Sequence, residues 1–501
     1  MAFACILSRA LCGINAPLVT VEADISQGTS GFSIVGLAET SVKESKDRVR
    51  SALLNAHLPF PNSKRITVNL APADLPKASS RFDLPIAMSI LAAQNMINPK
   101  ILQEFEFIGE LGLSGNIKPV KGTLAACLAS QKDNRPIFIP AENQLEASYA
   151  SESTIYPVKH LLEIVGHLQE TQPVTPLVAS TPKFANSDAG NFDEIQGHQI
   201  AKFALQVAAT GRHSLLMIGP PGSGKTMLAR ALVSLLPEPS HAEKMQIASI
   251  HTLSQSTQSV IPQLPFRMPH HSASTVAIIG GGNPIHPGEI TLAHHGILFL
   301  DELAEFKRST LEALREPLEV QKVNIARANQ RQSFPADFQL VAAMNPCPCG
   351  FFNSQTKPCR CSPSQIQRYL NKLSGPLLDR IDIILEVLPI SSSLLTSSHQ
   401  TSQTAAIQQR IAGLRDQQYE RQGCLNHCLA PQKISDKLLF ESKAHVRLQK
   451  IASQKGLSSR GIVRLQRLAR TIADLNDHEL IKPNDISDAL QLRSGLIYFQ
   501  N

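Results

Sequence analysis

The stretch Ser214-Leu-Leu-Met-Ile-Gly-Pro-Pro-Gly-Ser-Gly-Lys225-Thr226-Met-Leu-Ala-Arg-Ala-Leu-Val-Ser-Leu-Leu236 decides the fold. Its centre, Gly219 to Thr226, fits G-x-x-x-x-G-K-[ST]. It lies between an apolar strand, Ser214–Gly219, and an apolar helix, Met227–Leu236. Strand before and helix after make the pattern a phosphate-binding loop. Glycines let backbone N–H groups approach phosphate oxygens, and the helix N-terminus adds favourable partial charge. Gly219, Pro220, Pro221, Gly222, Ser223, Gly224, Lys225 and Thr226 are therefore the candidate nucleotide cradle. Lys225 would reach the β- and γ-phosphates and the Thr226 hydroxyl would ligate Mg²⁺, so the expected cofactors are ATP and Mg²⁺.

Two more apolar strands follow, Gly296-Ile-Leu-Phe-Leu300 and Phe338-Gln-Leu-Val-Ala-Ala-Met344. Strands apolar on both faces suit a parallel sheet covered by helices, which predicts a wound α/β core. The first runs into Asp301-Glu302. Asp301 is placed to hold the Mg²⁺ hydration shell and Glu302 to polarise the attacking water, which implies hydrolysis as well as binding. The second ends at Asn345, whose amide suits orientation of that water; an Asn turn before Pro346 would look the same.

The chain has 501 residues, 43% of them hydrophobic and 18% charged, with no Trp. That is enough apolar material for ordinary cores and excludes wholesale disorder. The net charge of +7 permits nucleic-acid binding without arguing for it. Nine cysteines are too few for a disulfide scaffold at this length. No apolar run reaches the roughly 18 residues of a membrane helix, and the N-terminus reads as a poor signal peptide. The expectation is a cytoplasmic protein with no membrane partner.

Composition divides the chain. Residues 1–170 read as one α/β unit, with alternating strands at Leu18–Ile25 and Ile66–Leu70, further strands at Phe107–Leu111 and Ile137–Ile139, and a helix over Val158–Leu168. Residues 171–190 crowd Pro, Thr, Ser and Gly as a linker. The α/β core occupies 191–390, and 391–501 is helical, with Ile462, Leu465, Leu468, Ala469 and Ile472 at helical spacing.

Lys225, Asp301-Glu302 and Asn345 together resemble the Walker A, Walker B and sensor 1 residues of AAA+ ATPases. Pro269-His-His-Ser-Ala-Ser, Gly280-Gly-Gly-Asn-Pro, Pro287–Gly296, Leu311–Leu318 and Ala342–Gly350 are similar to the magnesium-chelatase-like branch. Within that branch the likeness to the ComM/YifB family covers almost the whole chain. The resemblance implies an AAA+ core with a helical lid. It makes Arg380, in Leu377-Leu-Asp-Arg-Ile-Asp382, an arginine finger offered to a neighbouring subunit, hence a homo-hexamer. A salt bridge to Asp379 or Asp382 is the plainer use of Arg380. Arg460 looks like the sensor 2 arginine, with Arg464 and Arg467 as close rivals.

Residues 66–170 resemble the Lon proteolytic domain, most clearly in Phe107–Gly122. Lon chemistry needs a serine and a lysine, whereas Asp83 and Leu124 stand at those positions, with Ser79, Ser80 and Lys121 nearby. The unit is expected to be an inactive platform and not a protease. Cys347-Pro-Cys349 and Cys359-Arg-Cys361, within the loop 345–362, form a candidate structural Zn²⁺ site; four unliganded thiols are the alternative.

Ala273–His295 is similar to the helix-2 insert of the branch that holds the MCM helicases, and His286, His294 and His295 are left without a role. Val320–Phe334 reads as a hairpin with a polar tip at Ala328–Arg331; by resemblance it is the pre-sensor hairpin that lines a central pore. Lys322, Arg327 and Arg331 are its candidate DNA contacts. Resemblance to ComM-like proteins implies a helicase or translocase for branch migration when transforming DNA is integrated. Its partners would be single-stranded or branched DNA and proteins of recombination. A metal-chelatase motor and a protein remodeller using the N-terminal platform are the competing functions.

Overall fold

Strands apolar on both faces must be covered on both, and the computed structural model shows how this chain does so. It describes residues 2–36, 42, 44–73, 75, 77, 80–150, 152–178, 190–254, 264–282, 285–327, 330–353, 357–389, 403–430 and 440–499. The core sheet has five parallel strands in the order Phe266–Arg267, Ile297–Leu300, Gln339–Met344, Leu215–Ile218, Ile383–Glu386. One face packs on the helices Gln199–Gly211 and Lys225–Leu235. The C-terminal helices Ser442–Lys455, Ser459–Leu475 and Pro483–Gln491 join the same apolar cluster. The other face is covered by Ile278, Ile290, Leu311, Phe334 and Tyr369. The last turn, Ser494–Phe499, also crosses to that side, where the Tyr498 hydroxyl donates to Glu386. The C-terminal segment is thus built into both layers of the core.

Residues 2–168 form a seven-stranded mixed sheet in the order Gly31–Val35, Arg65–Ala71, Leu18–Ser26, Ala2–Arg9, Glu106–Phe107, Ile137–Pro140, Ile155–Val158. Leu18–Ser26 alternates buried and half-buried residues along its length, as one-sided packing requires. The buried helix Asp83–Ala93 lies against it.

Several expectations shift here. Phe107–Leu111 is not one strand. The chain leaves the sheet at Ile108, because Gly109 donates its N–H to the Arg81 carbonyl and accepts from Leu84 N. Glu110–Leu111 then pairs with Ile117–Lys118 instead. Val158 ends a strand, and the helix begins only at Leu161, where His160 caps it by accepting from Leu162 N. The phosphate-loop helix starts at Lys225, two residues before Met227. The linker 171–190 and the stretch that opens 391–501 lie largely outside the described residues, at 179–189 and 391–402.

The two sheets are in contact. Met245 and Ala248, on the core helix His241–Ser254, are buried among Leu124, Ala125 and Val120 of the N-terminal unit. Leu11 and Ile14, on the turn between the first two strands, pack beside Phe334 of the hairpin. At Gly13, with φ +60°, a Cβ would sit 3.0 Å from the Ser333 carbonyl oxygen, so a side chain here would press on the hairpin backbone.

Candidate nucleotide site and its cysteine cluster

Parallel strands present their carboxyl ends at one edge, where α/β sheets bind ligands. The register pairs Ile218 with Met344 and Leu300 with Ala342, so Gly219, Asn345 and Asp301 emerge side by side. Lys225 Nζ donates to the carbonyls of Gly219 (2.7 Å) and Pro220 (2.9 Å) and to Asn345 Oδ1 (3.3 Å). Burial depresses its pKa from the ordinary lysine value, against the pull of Asp301 and Glu302. Thr226 Oγ1 donates to Asp301 Oδ2 at 2.9 Å. The structure thus brings Lys225, Thr226, Asp301 and Asn345 together in one bonded group.

These residues fit the nucleotide and its metal. Gly222 and Gly224 sit at φ +76° and +82°, which turns the loop into the helix N-terminus. Ser223 Oγ is buried and has no hydrogen-bond partner among the described residues, a polar group suited to a phosphate oxygen. A hydroxyl beside a carboxylate is the hard-oxygen pair that Mg²⁺ takes. When bound, the ion would offset phosphate charge between Thr226 and Asp301.

Glu302 lies at the rim. Its backbone is left-handed, φ +51°, and its N–H donates to Asp301 Oδ1 at 2.9 Å. Its carboxylate, about half exposed, is 3.1 Å from His271 Nδ1. Sequence reasoning gave His271 no individual role, because nothing in Pro269–Ser274 foretells where that loop lands.

Arg380 lies elsewhere. It donates to the carbonyls of Arg315 (3.1 Å) and Pro376 (2.7 Å) and pairs with Glu319 at 2.5 Å. Its salt bridge is therefore neither to Asp379 nor to Asp382. Asp382 is occupied by His213 (3.2 Å) and Arg464 (3.3 Å), which hold its carboxyl below the usual range despite its burial. Arg467 donates to the Leu429 carbonyl at 2.9 Å. Arg460 is exposed, and its side chain makes no hydrogen bond or ion pair among the described residues. Of the three rivals, Arg460 is thus the one not committed to the protein's own structure.

The four thiols of Cys347, Cys349, Cys359 and Cys361 all lie within 4.8 Å of one another. Cys347–Cys349, Cys349–Cys359 and Cys347–Cys359 are 3.4, 3.5 and 3.7 Å apart. Tetrahedral zinc with Zn–S of about 2.3 Å would space its sulfurs by about 3.8 Å, so the donor set fits. Backbone N–H groups of Arg360 and Phe351 draw the Cys349 thiol down to about 6, which favours a thiolate ligand. Burial pushes Cys347 up to about 12.

The hairpin forms from Lys322–Arg327 and Gln330–Pro335, with Ala326 opposite Arg331 and Arg327 opposite Gln330. Arg331 is therefore a strand residue, and of the expected tip Ala328 and Asn329 lie outside the described residues. Lys322 is exposed at the hairpin base. Arg212 clamps that base by donating to the Asp337 carboxylate (2.7 Å) and carbonyl (2.9 Å), and Gln321 donates to the same carboxylate (3.1 Å). His294 belongs to this structural network, since its Nδ1 accepts from Asp337 N at 3.0 Å. Burial, with His295 adjacent, lowers its pKa to about 3, so it stays neutral.

In the N-terminal unit, Asp83 is buried in an ion pair with Arg48 at 2.7 Å, and Leu124 is fully buried. Neither supplies a hydroxyl or an amine. Ser80 donates to the Glu110 carboxylate, the Lys121 carbonyl accepts from Arg81, and Ser79 lies outside the described residues.

Similarity to known proteins covers almost the whole chain. The family described as magnesium chelatase, subunit ChlI matches residues 191–395, subunit ChlI of Mg-chelatase matches 21–143, and the subunit ChlI C-terminal family matches 401–493. Competence protein ComM of Haemophilus influenzae is 45% identical over 99% of this chain and 98% of its own length. The uncharacterized protein YifB of Escherichia coli is 42% identical over 99% and 97%. A Lon protease of Brevibacillus choshinensis is 25% identical over 31% of this chain and 21% of its own length.

Proposed function

The chain belongs to the family of ComM and YifB, magnesium-chelatase-like AAA+ proteins, and on that premise we propose that it is an ATP-hydrolysing hexameric motor that moves DNA. One observation carries the reading. The hairpin strand Gln330–Pro335 continues through Ala336–Phe338 into Gln339–Met344, which ends on Asn345 in the nucleotide site. A shift of Asn345 on hydrolysis is thereby passed along a single stretch of chain to the element that carries Arg327 and Arg331.

Each residue of the site takes one role in this motor. Lys225 and the loop hold the phosphates, Thr226 and Asp301 hold Mg²⁺, Glu302 takes the proton of the attacking water, and Asn345 orients that water. Arg380 and Arg460 act on nucleotide charge, Arg380 from the adjacent subunit. Cys347, Cys349, Cys359 and Cys361 hold one Zn²⁺. The name of the relative ComM supports a role in competence, here read as branch migration during DNA recombination. Nine cysteines, too few for a disulfide scaffold in 501 residues, favour a reducing compartment, the cytoplasm. No helix among the described residues is long and apolar enough to cross a membrane.

DNA should stimulate the ATPase. Arg327→Ala and Arg331→Ala are expected to weaken DNA binding and to flatten its salt dependence. The log–log slope should fall by about 0.9 for each phosphate that is no longer neutralised. Binding of mant-ATP, a fluorescent ATP analogue, should be unchanged in both. Strand displacement on forked and four-way junctions reads the activity itself. The family descriptions favour a second reading, a metal-chelatase motor. That reading takes over if DNA neither binds nor stimulates at low salt.

A further inference from the structure

We propose that the four-cysteine loop is a metal-dependent clamp on the nucleotide site, in which the bound ion fixes the position of both Pro221 and Asn345. The inference rests on reading the four thiols as a zinc site and goes beyond a purely structural knuckle. Its basis is where the loop lies. Only Pro346 separates Asn345 from Cys347. Gly350 N donates to the Cys347 carbonyl at 2.9 Å, closing a turn over Cys347–Gly350. Gly350 has φ +85°, and a Cβ there would stand 2.6 Å from Pro221 Cδ and 3.8 Å from Asn345 Cγ. The backbone of the cysteine turn therefore rests on the phosphate loop and beside the residue that contacts Lys225.

The other end of the loop is anchored separately. Cys361 leads into Ser362, whose side chain and Gln365 form a capping box on the helix Pro363–Leu370. Phe352 packs edge-on against Tyr498, with ring centroids 6.2 Å apart. Across the loop the thiols of Cys347 and Cys349 meet Cys359 with only weak sulfur hydrogen bonds. A tetrathiolate ion replaces those contacts with four strong bonds and makes the turn over Pro221 rigid. Without it the turn can lift, and the phosphate loop and Asn345 lose a common wall. Metal occupancy would then gate ATP binding and turnover without the ion touching nucleotide.

The test uses the whole chain purified under reducing conditions. Elemental analysis should give one zinc per chain in wild type and none in Cys359→Ser. Loss of the metal should weaken mant-ATP binding about tenfold and slow turnover about 10²-fold, as an ångström-scale misplacement does. Wild type stripped by a zinc-selective chelator, then freed of chelator by gel filtration, should show the same loss. Added Zn²⁺ should reverse it while the far-ultraviolet circular dichroism stays constant. This arm decides the matter even where Cys359→Ser folds poorly. Wild type that takes up no zinc would overturn the zinc reading and the clamp together. Stripped protein that binds and hydrolyses ATP within twofold of the zinc form would overturn the clamp alone.

Discussion

Glu302→Gln is expected to leave ATP bound and nearly unhydrolysed. Gln keeps the length of the side chain and its place beside His271, 3.1 Å away in the wild type, so the shape of the rim is retained. What it loses is a carboxylate able to take a proton from water. A positioned base contributes about 10²–10⁴-fold, and turnover should fall by that factor. Affinity for mant-ATP should stay within twofold, because Lys225, Thr226 and Asp301 are untouched. The backbone supports the assignment. Glu302 is held at φ +51°, a conformation that costs a side-chain-bearing residue about 1–2 kcal/mol. Its N–H bond to Asp301 Oδ1 helps to keep it there, and such strain is retained where a side chain must point one way. Wild-type turnover by the Gln variant would remove Glu302 from the mechanism.

The second large effect concerns Arg380. Arg380→Ala is expected to cut hydrolysis about 10³-fold or more, the scale of an arginine finger, with little change in mant-ATP affinity. Within its own subunit Arg380 bonds to Arg315, Pro376 and Glu319 and to none of Lys225, Thr226, Asp301, Glu302 or Asn345. On the proposed reading, its catalytic contact is made across a subunit boundary. Mixing decides this. Arg380→Ala and Lys225→Ala proteins, each inactive alone, should recover part of the activity together, since an intact Lys225 site can face an intact Arg380. Mixtures as inactive as their parts would place the arginine in folding or assembly instead. Loss of the Glu319 pair should itself cost little, because that carboxylate is about half exposed.

The candidate site residues were legible because their signals are local. Gly219 to Thr226, Asp301-Glu302 and Asn345 each follow an apolar strand, and parallel strands can only deliver their ends to one edge. The C-x-C pairs were legible for the same reason, since ligands so near in sequence need little help to meet. Register was partly legible too, as alternation at Leu18–Ser26 fixed which face is buried.

What the sequence by itself determined, then, was the chemistry of each short segment and the class of sheet that holds it. Tertiary structure alone decided which segments meet. Nothing in Phe107–Leu111 announced that Gly109 would be diverted to Arg81, because the competing partner lies in another part of the chain. Resemblance picked Arg460 over Arg464 and Arg467, but no local signal foretold that Asp382 and the Leu429 carbonyl hold the other two. The turn at Gly13 on the hairpin and the turn at Gly350 on Pro221 are contacts between distant surfaces. Local propensity has no access to them, because their energy comes from shape matched across the fold.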